Sequence, residues 1–86
     1  MSLLKVTVGI PGSIVFEMAM RGGPLPSRIE IPKDRDAAVM ITCSDEQALE
    51  MEAWLRIAAR RRRDDGEAKL YLRCAALSAH ARGGDG

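Results

Sequence analysis

Leu4-Lys5-Val6-Thr7-Val8-Gly9-Ile10, then Pro11-Gly12, then Ile14-Val15-Phe16-Glu17-Met18-Ala19-Met20 is the stretch on which the fold turns. Leu4, Val6, Val8 and Ile10 alternate with polar or small residues. Ile14, Phe16, Met18 and Met20 repeat the same period of two. Two alternating runs around a turn dipeptide are the pattern of a β-hairpin. An L-Pro-Gly pair suits a type I or II turn, so a loop of about four residues is expected between the strands.

Working outward, Arg21-Gly22-Gly23-Pro24-Leu25-Pro26-Ser27 reads as the main loop, its glycines and prolines ending the second strand. Arg28 to Ile31 reads as a short third strand closed by Pro32. Ala38 to Cys43 reads as a fourth strand, apolar on both faces and so interior to the sheet. Ser44 is a good N-cap, with Gln47 in the capping-box position, for a helix running to about Arg63 and stopped by Asp64-Asp65-Gly66. In the last segment Leu70, Leu72, Cys74 and Ala76 alternate as in a strand, while Leu70, Cys74 and Leu77 are also spaced as on a helix. A strand over Ala68 to Cys74 is preferred, with a second helix as the alternative. The expected fold is therefore α+β: an antiparallel sheet of four to five strands, built from two hairpins, packed against one long amphipathic helix. A C-terminal strand or second helix completes it. Residues 1–82 form a single domain and 83–86 a disordered tail.

With 86 residues, the chain fits one domain with a slim stability margin. Its core is aliphatic and Met-containing, because Phe16, Trp54 and Tyr71 are the only aromatic residues. Net charge is +1, with five bases and four acids in residues 1–43 and eight of each in residues 44–86. Neither half is a polybasic or acidic tail, so charge alone draws the chain to neither nucleic acid nor a membrane surface. No run approaches the roughly 18 apolar residues of a membrane span. The N-terminus carries no basic region followed by an apolar core and a small-residue cleavage site. The expected compartment is the cytoplasm, with Cys43 and Cys74 reduced.

On a helical wheel Ala48, Met51, Trp54, Leu55, Ala58 and Ala59 form a broad stripe suited to covering the sheet. Leu49, Ala53 and Ile57 form a second, narrower row beyond a charged seam of Glu52, Arg56, Arg60 and Arg63. A helix that only covered a sheet would not need that row. Either the C-terminal segment covers it, or its residues are part-exposed, or it is a self-association surface that completes a small core as a homodimer.

Arg60-Arg61-Arg62-Arg63 is the strongest charge feature. Successive helical residues point about 100° apart, so only Arg56, Arg60 and Arg63 align. They form a candidate phosphate or nucleic-acid contact. Equally, with Asp45, Glu46 and Glu50 near the other end, they match the helix dipole. Cys43 and Cys74 read as buried structural thiols, since acids crowd the helix start beside Cys43 and no CxxC is present. His80, the only histidine, sits in the tail. Glu17 and Glu30 read as solvated strand residues. One His and two distant Cys assemble no metal site, and no phosphate-binding glycine loop is present. These residues point to a non-enzymatic, self-associating protein-interaction module without cofactor or metal. The alternative is a small nucleic-acid-binding or regulatory protein using the arginines.

Overall fold

In a computed structural model, which describes residues 5–26, 29–30 and 33–83, the element order is β1 (Lys5–Pro11), α1 (Gly12–Met20), β2 (Ala38–Ser44), α2 (Asp45–Arg60) and α3 (Asp65–Ala81). β1 and β2 pair antiparallel, from Lys5 opposite Ser44 to Pro11 opposite Ala38. Among the described residues this ribbon is the whole sheet. The expected sheet of four to five strands against one long helix is thus replaced by two strands and three helices.

The run Ile14 to Met20 is helical. Ile14, Val15 and Met18 point into the core, a spacing of one and four that a helix uses as readily as alternation uses every second residue. Two features favour the helix. Its free N-terminal amides find carbonyls at the approach to β2: Gly12 N–H donates to Ala37 (2.7 Å) and Ser13 N–H to Arg35 (2.9 Å). Its C-terminus closes on Gly22, which has a φ of 71°, and Gly23 N–H donates back to Met18 carbonyl at 2.7 Å. The two glycines that were expected to end a strand end a helix. Glu17 and Arg21, one turn apart, form an ion pair at 3.0 Å on its surface.

Ile29 and Glu30 are not in a strand; Arg28 and Ile31, the rest of that expected element, lie outside the described residues. So, beyond Gly83, does the expected tail. The strand expected over Ala38 to Cys43 is β2, one residue longer. Its inward residues Val39, Ile41 and Cys43 face Ile10, Val8 and Val6 of β1. The opposite face of the ribbon carries Thr7 and Thr42, whose hydroxyls are 3.0 Å apart, and Met40, which is 66 % exposed.

α2 starts as expected, with Ser44 Oγ accepting from Gln47 N–H at 3.1 Å. The Gln47 side chain turns away to donate to the Pro24 carbonyl, tethering the loop after α1. The helix ends three residues earlier than expected, at Arg60. Arg61 and Arg62 amides bond back to Ala58 and Ala59 carbonyls in a tightened last turn. Asp64, expected within a stop signal, is instead the N-cap of α3: its carboxylate accepts from Glu67 N–H at 2.9 Å. The segment expected as a strand over Ala68 to Cys74 is therefore a helix, the alternative stated above. Its buried residues Tyr71, Cys74, Ala75 and Ser78 recur at helical spacing.

α2 and α3 form a hairpin across the short link 61–64 and lie against the inner face of the ribbon. Small residues are buried on the packed sides of both helices: Ala48, Ala58 and Ala59 on α2, Cys74, Ala75 and Ser78 on α3. Such side chains let helix axes approach closely. Ser78 satisfies its buried hydroxyl by donating to the Cys74 carbonyl at 3.2 Å. Met51 and Leu55 of α2 and Met18 of α1 fill the space between the layers and are fully buried. No helix among the described residues is long and apolar enough to cross a membrane.

Candidate functional site

The periodicity of α2 decides which side chains reach water. Ala48, Met51, Leu55, Ala58 and Ala59 take the core side. Stepping 100° per residue, Leu49, Ala53 and Ile57 fall opposite that stripe, in the middle of the solvent face. Leu49 is 51 % exposed and Ile57 52 %, and Ala53 between them is exposed. α3 packs on the flank of α2 and does not cover this row. Of the three readings that the sequence leaves open, coverage by the C-terminal segment is therefore removed.

The apolar row continues sideways onto α3. Leu72, 49 % exposed, shares a shallow groove of about 250 Å3 with Arg56, Ala59 and Arg60. Charge is segregated along the same face: Asp45, Glu46 and Glu50 in its first half, Arg56 and Arg60 in its second, all exposed.

Arg56, Arg60 and Arg63 do not form one surface. Arg56 is bonded at 2.8 Å to Glu52, whose other carboxylate oxygen takes Arg82 from the end of α3. Arg60 is the last residue of α2, and Arg63 lies beyond it in the link. The aligned trio requires a helix continuing to Arg63, and the turn into Asp64 breaks it.

The link instead directs Arg61 and Arg62 toward the aromatic residues. The Arg62 guanidinium lies over the Tyr71 ring, 4.9 Å from its centroid, with the side chain only 14 % exposed. Its other side borders a cleft shared with Arg21, Arg61, Trp54, Ile57 and Ala58. Arg35 similarly lies 4.0 Å over the Phe16 ring. All three aromatic side chains thus have an arginine at hand. Sequence reading missed this because the arginine partners come from different elements, and no spacing along the chain records it.

Cys43 and Cys74 are free and buried, on β2 and α3 respectively. Burial pushes both thiols above their usual pKa, against a modest opposing pull from Arg73 on Cys74. Both are thus held as neutral thiols at physiological pH, which disfavours nucleophilic chemistry. Glu17 is tied to Arg21, and Glu30 and His80 are exposed. Among the described residues, no three His, Cys, Asp or Glu side chains are grouped so as to hold a metal ion. No family model, curated protein or solved structure matches the chain.

Proposed function

We propose that this chain is a non-enzymatic interaction module that self-associates through the solvent face of α2, pairing antiparallel with α2 of a second copy. The observation that carries the reading is the order of side chains on that face. About a two-fold axis at Ala53, Leu49 of one copy stands level with Ile57 of the other. Glu46 stands level with Arg60, and Glu50 with Arg56. Each apolar side chain meets an apolar one, and each acid stands level with a base. In a parallel pair the same residues would face themselves, acid against acid. Antiparallel helix dipoles favour the same choice. A two-fold contact of one surface with itself is the commonest form of oligomer.

The magnitude is modest. Burying the exposed half of a Leu or Ile gains about 1 kcal/mol. Leu49, Ile57 and Leu72 from both copies together offer about 6 kcal/mol, before the cost of association. With the level ion pairs adding about 0.2–1 kcal/mol each and an association cost of about 4 kcal/mol or more, the surplus corresponds to about millimolar dissociation. The assembly is reversible and concentration-dependent. The free buried thiols fit a reducing compartment such as the cytoplasm.

Light scattering or sedimentation equilibrium over a concentration series tests the reading. The mass should rise toward that of two chains, and Ile57→Glu should hold it at one without loss of helical circular dichroism. A wild-type chain that stays monomeric at millimolar concentration would rule the proposal out.

A further inference from the structure

A second surface lies at the other flank of α2, where Arg21, Arg61 and Arg62 line a cleft of about 140 Å3 together with Trp54, Ile57 and Ala58. The three arginines come from three places: the end of α1, the residue closing α2, and the link before α3. Among the described residues, no carboxylate lines the cleft. Arg21 spends its Nε on Glu17. Arg61 has no ion-pair partner among the described residues. Among the described residues, the carboxylate nearest Arg62 is Glu67, at 4.0 Å, and the buried Arg62 Nε has no hydrogen-bond partner. Like charges gathered against an apolar wall repel more strongly than in open water. Guanidinium forks leave planar pairs of N–H donors for an anion to accept.

We propose that this cleft binds a phosphate monoester. Three guanidiniums match the two charges and three terminal oxygens of such a group, where a monocarboxylate offers one charge and two oxygens. The cleft is too small for a whole organic ligand, so the phosphate sits among the arginines. The ester's carbon portion lies outward along Trp54 and Ile57, which supply an aromatic and an aliphatic surface. The site is complete within one copy; because Ile57 also belongs to the α2 row, self-association competes for one wall of it, and the titration is run at micromolar chain concentration.

Trp54 is the only tryptophan and lines this cleft, so its fluorescence reports on it. The full chain is titrated in a phosphate-free buffer with inorganic phosphate and with phenyl phosphate. A saturable change is expected with both, tighter for phenyl phosphate and weakened by added sodium chloride. Arg61→Ala and Arg21→Ala should each weaken binding about tenfold, the scale of one charge-assisted contact. Both side chains are exposed, so these variants keep the fold. Leu49→Ala, which weakens the α2 row two turns before Ile57 and adds no charge, should bind at least as tightly as wild type. The proposal is overturned by an unsaturable response, by arginine variants that bind like wild type, or by loss of binding in Leu49→Ala. Equal affinity for the two probes would overturn the ester assignment in favour of free phosphate.

Discussion

Arg62 closes the end of the core by lying over Tyr71, its guanidinium carbon 4.9 Å from the ring centroid. Tyr71 is buried at the first turns of α3, and Arg62 belongs to the link that precedes that helix. The contact therefore fixes the link against the helix it leads into.

Removing that cover should cost stability. A cation over an aromatic face contributes about 0.5–2 kcal/mol, and the Arg stem adds apolar packing. Arg62→Ala is expected to destabilise the chain by about 1–3 kcal/mol in urea unfolding, and Arg62→Lys by less. Arg60→Ala, on the open face of α2, should stay within about 0.5 kcal/mol of wild type. Equal, small effects at both positions would show that the stacking carries no weight.

The buried thiols make the fold sensitive to alkali. Burial raises the pKa of Cys43 and of Cys74, and burial is also the largest cause raising Tyr71, against an opposing pull from Arg62. A group whose pKa is higher folded than unfolded gives its full stabilisation below the unfolded value. That stabilisation falls as pH rises through the folded value. Stability should therefore be flat through neutrality and decline once the ordinary thiol range is passed. The decline is up to about 1.4 kcal/mol per pH unit for each thiol. Urea unfolding at a series of pH values measures it. Cys43→Ala with Cys74→Ala should flatten the slope, and an unchanged slope would remove the thiols as its cause.

The antiparallel register of the α2 pair has its own signature. Glu46→Arg should weaken association several-fold, and so should Arg60→Glu, because two exposed ion pairs per dimer are worth about 0.2–1 kcal/mol each. The double variant, which exchanges the charges, should recover most of the loss. Sedimentation of the four proteins at one ionic strength compares them. A double variant as weak as the single ones would exclude the register.

Both strands of the ribbon, the Ser44 cap and the apolar row of α2 are legible in the sequence, because each is a local pattern in consecutive residues. Ile14 to Met20 is misread for an equally local reason. Seven residues with one charge satisfy a period of two and a period of 3.6 alike. The deciding signals stand just outside the run: Arg21 one turn after Glu17, and Gly22 at the position where helices turn left-handed. The Asp64-x-x-Glu67 spacing is likewise a helix start that resembles a stop when the preceding helix is extended too far. The arginine cleft is different in kind. Arg21 and Arg61 lie 40 positions apart and line one cleft only through the fold.

The separation of partners along the chain also ranks the order of assembly. α2 and α3 meet across a link of a few residues, whereas Pro11 pairs with Ala38 only after α1 and the loop beyond it have been gathered in. Closing the longer span sacrifices more chain freedom before any contact rewards it. The helical hairpin is thus the natural nucleus, and the slowest step in folding is the arrival of the N-terminal strand onto a surface already built.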